Sequence, residues 1–461
     1  MPIFSRRVRV EVPAAELFEW HARPGAFERL KPPWVRLRLI QRSGGIADGG
    51  RVIFRMGVAP LACVWEARHH GFEPGRRFCD EQVRGPFARW NHTHSFDEDG
   101  AAAGILTDTV DYRLPMRALG ALVAGRYMQR VLERMFAWRH VRTAHDLLRH
   151  SAMGSKRILR IAIGGASGLI GRQLSAFLTS GGHFVATLVR RAAGPENHEI
   201  AWDPEHGALE PESLEGFDAI IHLGGVGIAD ERWSAGRKEV IRSSRVDSTR
   251  LLAETICKLR RPPAALICAS AIGYYGNRGD EVLEESSPPG NEFLSEVCVA
   301  WENAARLAEQ VDVRVVRLRT GLVLSGDGGA LGKMLPPFRM GLGGTVGSGR
   351  QWMSWIALDD LIGAIHWLLD HPEISGPVNA VAPGAVTNAE FTRVLGRVLG
   401  RPTFAGVPAF AIRLALGEMG ERLLLAGQRV VPRVLSEGGF KFLFGDLESA
   451  LRHELGAKKD H

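Results

Sequence analysis

A turn rich in glycine, set between an apolar strand and a helix, constrains this chain more than any other feature. Ile158-Leu-Arg-Ile-Ala-Ile163 reads as a buried strand, Gly164-Gly-Ala-Ser-Gly-Leu-Ile-Gly171 follows, and Arg172–Ser180 continues as a helix. Gly165 permits the tight turn, Gly168 lets a pyrophosphate approach the backbone, and Gly171 allows strand and helix to pack closely. The helix N-terminus adds free N–H donors and a positive dipole. Gly165, Ser167, Gly168, Leu169 and Ile170 are therefore the expected dinucleotide contacts. The competing reading is a glycine turn that joins two elements and holds nothing.

The next strand, His183-Phe-Val-Ala-Thr-Leu-Val189, runs into Arg190-Arg191. An NAD site would place an acidic residue about 20 residues beyond the glycines, on the ribose hydroxyls. The first acidic residue after Gly171 is Glu196. Two guanidiniums suit a 2′-phosphate instead, so the expected cofactor is NADP(H) in preference to NAD(H), with Arg190 and Arg191 as its phosphate ligands. The plainer reading is a pair of solvated arginines.

Strands are expected again at Asp218–Leu223 (followed by Gly224-Gly225), Ala264–Ser270, Val313–Arg319 and Pro377–Val381. Helices fall between them, around Arg250–Leu259 and Leu294–Glu309. Alternating βα units imply one doubly wound parallel sheet, with ligands at its C-terminal strand edge. Leu223, Gly224 and Gly225 join the expected cofactor contacts.

The first 150 residues differ in kind. Arg6-Arg-Val-Arg-Val-Glu-Val12 alternates with period two. Pro13 opens a helical stretch through Leu17, Phe18 and Trp20. Strand-like runs follow at Val35–Ile40, Arg51–Phe54, Ala62–His69, Arg77–Val83, Trp90–Phe96 and Ile105–Leu114, many separated by glycine turns. From Met116 to Leu148, apolar residues at helical spacing, Tyr127 and Val131 among them, predict one amphipathic helix. Charge divides the same way: the net charge of +7 splits as +8 for residues 1–150 and −1 for the rest. The cations are dispersed and never interleaved with aromatics, so no nucleic-acid surface is expected. Ser151–Lys156 reads as a linker. The expected domains are 1–150, 157–400 and 401–456.

His92-x-His94 puts two imidazoles on one strand face, the geometry of a metal pair. No third ligand stands out in the sequence and Trp90 and Phe96 share the parity, so the pair is read as polar residues on the sheet and no metal site is assigned. Five scattered cysteines form no C-x-x-C pair, which argues against a disulfide framework. No run reaches the length of a membrane span, and the opening residues lack a leader's apolar stretch. A cytoplasmic protein is expected.

Two resemblances sharpen this outline. Strand, short helices, antiparallel strands and a long closing helix resemble the α+β helix-grip fold of the START-like, polyketide-cyclase-like (SRPBCC) family, whose sheet and final helix enclose an apolar ligand. The spacing Gly165-x-x-Gly168-x-x-Gly171 is that of short-chain dehydrogenases/reductases. With it come Ile221-His-Leu-Gly-Gly225, Ser270-Ala-Ile-Gly-Tyr-Tyr-Gly276, Arg317-Leu-Arg-Thr-Gly-Leu-Val-Leu324, Gly347–Ile356 and the tail Pro432–Phe442. Together these resemble an atypical extended subgroup: NAD(P)-dependent, nucleotide-sugar-epimerase-like, with a small helical C-terminal subdomain of unknown function.

That resemblance implies a Tyr-x-x-x-Lys pair, and none exists. The four tyrosines are Tyr112, Tyr127, Tyr274 and Tyr275, and no lysine stands four residues beyond any of them. When Glu302 is aligned with the family's helix glutamate, Leu294 and Cys298 occupy the two places. The remaining polar candidates are Ser270, Tyr275 and Tyr274, with Arg278 as a charge. Arg350 and Gln351 fall where the family meets substrate, and Asp360 is expected to start a helix. The resulting expectation is an NADP(H)-dependent oxidoreductase or epimerase-like enzyme for a carbonyl or alcohol, whose N-terminal module holds an apolar ligand. The alternatives are a dinucleotide-binding sensor that has lost catalysis, and a binder of apolar metabolites.

Overall fold

A computed structural model describes residues 3–57, 62–115, 117–154, 157–194 and 198–457, with the side chains of 117–124 set aside. The helix start expected at Met116, Glu196 and the end of the 151–156 linker lie outside the described residues. The chain forms two compact units, one made mainly of residues up to Gly154 and the other mainly of His183–Glu454 and the segment before Ser175.

The first unit is a seven-stranded antiparallel sheet. Its strands are β1 (Ile3–Val10), β2 (Leu37–Ser43), β3 (Arg51–Met56), β4 (Cys63–Glu73), β5 (Arg77–Arg84), β6 (Arg89–Glu98) and β7 (Gly104–Arg113). Neighbours in the chain are neighbours in the sheet, except that β1 pairs with β7, giving the order β1-β7-β6-β5-β4-β3-β2. Helices α1 (Ala14–Ala22) and α2 (Ala26–Arg29) link β1 to β2, and α3 (Arg117–Ser151) follows β7. Period-two alternation gives the sheet one inward face. Two apolar clusters cover it: Trp65, Trp90, Val110 and Tyr112 pack with Leu132 and Phe136 of α3, while Phe78, Phe96 and Leu106 pack with Phe18 of α1 and Leu147. The inward face of α3 runs through Leu132, Phe136, His140 and Leu147. Tyr127 and Val131, expected on that stripe, are instead exposed. Three- and four-residue steps from Leu132 define a face that they miss.

In the second unit seven parallel strands make one sheet: β8 (Arg160–Gly164), β9 (Phe184–Val189), β10 (Glu199–Ala201), β11 (Ala219–His222), β12 (Ala265–Ala271), β13 (Arg314–Thr320) and β14 (Gly376–Ala380). Their order is β10-β9-β8-β11-β12-β13-β14, the doubly wound arrangement whose crevice opens where the order reverses, beside β8. The central strands are buried on both faces, as parallel strands covered by helices must be. Helices α4 (Leu169–Ser180), α5 (Ala235–Ile256) and α6 (Phe293–Ala305) are the crossovers that flank the site. Toward the C-terminus, Arg429–Val430 pairs in parallel with Val282–Leu283, tying the final helical segment to this unit. No helix among the described residues is long and apolar enough to cross a membrane.

Candidate functional site

The glycine turn sits at the C-terminal end of β8. Gly165 has φ +84°, and a Cβ there would lie 2.7 Å from Gly224 N. At Gly171 a Cβ would lie 2.7 Å from Ala166 Cα and collide with Gly165 O. Gly168 N–H closes the turn onto Gly165 O at 3.1 Å, and Arg172 N–H begins the helix on Gly168 O. Ser167 and Gly168 are exposed and Leu169 and Ile170 half-buried, so the turn presents bare backbone outward. This is a cradle that side chains would fill, and it fits a diphosphate. Beneath it lies His222, fully buried, with Nε2 on Ser248 Oγ at 3.1 Å. A Cβ at Gly164 would sit 2.5 Å from His222 Nδ1, and one at Gly224 2.7 Å from its Cε1, so the imidazole takes space that side chains would otherwise need. Burial pushes His222 down to about 4, which makes it neutral near pH 7.

Arg190 and Arg191 emerge exposed from the end of β9. They are not equivalent. Arg191 makes a bidentate pair with Glu199, the first residue of β10, at 2.6 and 2.8 Å. Among the described residues Arg190 meets Glu205, at 3.9 Å, with both side chains largely in solvent. The sequence rule looked for an acid about 20 residues past the glycines, and Glu199 reaches the guanidinium by strand pairing, which no linear spacing records. Both expected phosphate ligands are exposed, and Arg190 is the one without a close bidentate carboxylate among the described residues.

At the ends of β12, β13 and β14 the chain builds a buried polar layer. Arg319 closes β13 with its side chain 3% exposed and grips Glu302 of α6 bidentately, at 2.8 and 3.0 Å. Ser270 donates to the same carboxylate at 2.7 Å. Arg319 Nη1 also donates to Tyr275 Oη (3.0 Å), which donates onward to Asn379 Oδ1 (2.6 Å). Asn379 Nδ2 reaches Val431 O, and Glu285 Oε1 accepts from Asn379 N and Val434 N. The C-terminal segment thus seals the layer. Tyr274, half-buried, has its ring 3.4 Å from the Arg319 guanidinium.

Several expectations change here. Tyr275, one of the polar candidates expected at the catalytic position, is fully buried with its hydroxyl engaged twice, and burial raises it to about 12. Ser270 is buried and bound to Glu302. Arg278 pairs with Glu281 at the surface. Gln351 spends its amide nitrogen on Val346 O and Leu424 O, holding its loop to the C-terminal segment, while Arg350 stands exposed. Asp360 does not cap its own helix; its two oxygens accept Leu443 and Phe444 N–H groups. On α6, Cys298 Sγ lies 3.7 Å from Ala271 O at the end of β12, and Leu294 Cβ lies 3.4 Å from where a Cβ on Gly273 would be. Arg319, Asn379 and Glu285 went unnoticed because nothing local marks them; a charged residue ending an apolar strand, Val-Val-Arg-Leu-Arg319, was the one available sign.

A second polar cluster lies in the first unit. His92 and His94 of β6 face Asp80 of β5 and Asp108 of β7, and His140 of α3 reaches Asp108 at 2.6 Å. The third partner that the sequence did not offer comes from adjoining strands.

Residues 161–381 match the NAD dependent epimerase/dehydratase family, and residues 407–454 match a domain of unknown function (DUF1731). An epimerase family protein of Mycobacterium bovis is 45% identical over 291 residues, covering 63% of this chain and 96% of the relative. The chain belongs to the epimerase family. A nucleoside-diphosphate sugar epimerase structure from Corynebacterium glutamicum covers 98% of this epimerase-family chain and 90% of its own, at 35% identity and TM-score 0.80. Human epimerase family protein SDR39U1, solved with NADPH, covers 64% of this chain and 98% of its own, at 36% identity and TM-score 0.60.

Proposed function

We propose that the second unit binds NADP(H) and acts as an oxidoreductase or epimerase-like enzyme on a small carbonyl or alcohol. The observation that carries this reading is the bare glycine cradle with Arg190 exposed beside it and no acidic side chain ending β9. The NADPH in the related human structure supports it. Gly165, Ser167, Gly168, Leu169 and Ile170 would hold the diphosphate, Leu223, Gly224 and Gly225 would line the crevice, and Arg190 would grip the 2′-phosphate, assisted by Arg191. When bound, the cofactor supplies hydride chemistry. Of the chain's own polar groups, half-buried Tyr274 is the candidate to meet a substrate, while Ser270, buried on Glu302, and Tyr275 with Arg319 fix its loop. Five free cysteines support a reducing, cytoplasmic setting. The seven-stranded sheet closed by α3 supports reading the first unit as a START-like module for an apolar ligand.

Calorimetry tests the cofactor assignment. NADPH should bind more tightly than NADH, and Arg190→Ala should weaken NADPH by roughly tenfold, the worth of one charge-assisted contact, with NADH unaffected. Equal affinities for the two cofactors would end it. A specific observation also favours a second reading, a dinucleotide sensor without turnover: the hydroxyls of Ser270 and Tyr275 are both engaged inside the protein. Tight NADPH binding with no oxidation across a panel of carbonyls would select it.

A further inference from the structure

Along β6 of the first unit the inward side chains are Trp90, His92, His94 and Phe96. Trp90 belongs to one apolar cluster and Phe96 to the other, so the two imidazoles form a polar layer between two greasy ones. The same interruption recurs on both neighbouring strands. On β7, Asp108 separates Leu106 from Val110; on β5, Asp80 follows Phe78. Strand register lines them up: Asp80 is opposite His92, and Asp108 is opposite His94. Carboxylates and imidazoles placed this deep carry a large desolvation cost, which only specific partners offset.

Each ring divides its nitrogens between the two carboxylates. His92 Nε2 lies 3.0 Å from Asp108 Oδ1, and His94 Nδ1 lies 2.7 Å from the same oxygen. The opposite nitrogens turn toward Asp80 Oδ2, His92 Nδ1 at 3.1 Å and His94 Nε2 at 3.6 Å. One ligand atom from each of Asp80, His92 and His94 falls within a 4.8 Å group. For bonds of about 2.0–2.1 Å, tetrahedral geometry sets ligand atoms ~3.3 Å apart, and these two separations bracket that value. Asp108 then stands where a metal site keeps its supporting carboxylate, hydrogen-bonded to the far nitrogen of His92 and lying beside that of His94, whose Nδ1 makes no hydrogen bond as placed. His140 Nε2 holds the other Asp108 oxygen at 2.6 Å. Phe78 stacks on His94 at 4.2 Å and Phe136 meets His92 edge-on at 5.1 Å, giving the layer rigid apolar walls. His69, the register neighbour of Asp80 on β4, is nine-tenths buried with Nδ1 unpartnered, and lies outside that three-residue group.

We propose that Asp80, His92 and His94 bind a divalent first-row transition ion of the zinc class, held in place through Asp108 and leaving one position open. Two imidazoles with one carboxylate suit such an ion and disfavour magnesium or calcium, which take all-oxygen shells. A second grouping, Asp359, His453 and Glu454, has only one imidazole, and a Glu454 oxygen already accepts Gly326 N–H. The proposal does not depend on the dinucleotide reading.

The test uses the full chain without a histidine tag, stripped by chelator and titrated with Zn²⁺ and Co²⁺. One equivalent should bind, Co²⁺ should show the ligand-field bands of a low-coordinate nitrogen–oxygen site, and excess Mg²⁺ should not compete. Asp80→Asn should weaken Zn²⁺ binding by about 100-fold and Asp108→Asn by roughly 10–100-fold, whereas His453→Gln should leave it unchanged. X-ray absorption on the wild-type zinc form needs no variant and should count two imidazoles. No stoichiometric binding, a single imidazole, or unchanged affinity in Asp80→Asn would overturn the proposal.

Discussion

Each unit buries a polar layer against its sheet, and the two layers are built from opposite materials. In the second unit Arg319, Glu302, Tyr275, Asn379 and Glu285 surround a permanent cation, because a guanidinium keeps its proton in any folded protein. Nearly every donor has a fixed acceptor, so the layer can do little but hold strand ends and loop together. In the first unit His92, His94 and His140 share two carboxylates, and an imidazole is stable both neutral and charged. That layer can trade what it holds. The difference teaches that burial and ion pairing alone do not identify a working site; what matters is whether its members have a second stable state.

Breaking each layer at its carboxylate should expose the contrast most sharply. Glu302→Gln strands the Arg319 charge and should cost about 3–5 kcal/mol in urea unfolding, as loss of one member of a buried pair does. Acid should then probe a buried imidazole of the same unit, held on a serine hydroxyl. His222 is about 4 when folded and near 6.5 when unfolded, so below pH 6.5 the unfolded chain takes up protons that the native state refuses. Stability contributed by this group is present at pH 7 and lost as pH falls from 6.5 toward 4, by up to about 3 kcal/mol. Unfolding midpoints at pH 7 and pH 5 should show the loss, and His222→Gln should flatten it.

Asp108→Asn, in metal-stripped protein, should cost only about 1–3 kcal/mol, because Asp80 still faces His92 and His94 and the amide oxygen still accepts from a ring N–H. A penalty equal to that of Glu302→Gln would erase the contrast between the layers. The smallest change is Tyr275→Phe, which removes one hydroxyl from between Arg319 and Asn379. It should cost about 1–2 kcal/mol by chemical denaturation, with NADPH affinity unchanged. A fall in affinity would return Tyr275 to the cofactor site.

Much of the architecture could be read from period and punctuation. All seven strands of the first sheet and six of the second fall near their expected positions, because alternation and apolar runs are local properties. The short strand Glu199–Ala201 was missed: three residues carry no period. That omission mattered, since Glu199 arrives with it and takes up Arg191. The loop after Ser270 showed a similar limit. Tyr275 is a sensible proton donor by residue type, and only the approach of Arg319 and Asn379 from two other strands turns it inward.

By itself the sequence determined the two sheet types, the phosphate cradle and the absence of the tyrosine–lysine pair, because each is a matter of residue identity at fixed short spacing. The tertiary structure alone decided which charges meet. Asp80 and Asp108 flank the His92–His94 pair through antiparallel register, and Glu302 finds Arg319 through helix-on-sheet packing. Those pairings join residues 12 to 17 positions apart in the chain, and their partners are set by how strands align and helices pack, a geometry that no local pattern encodes.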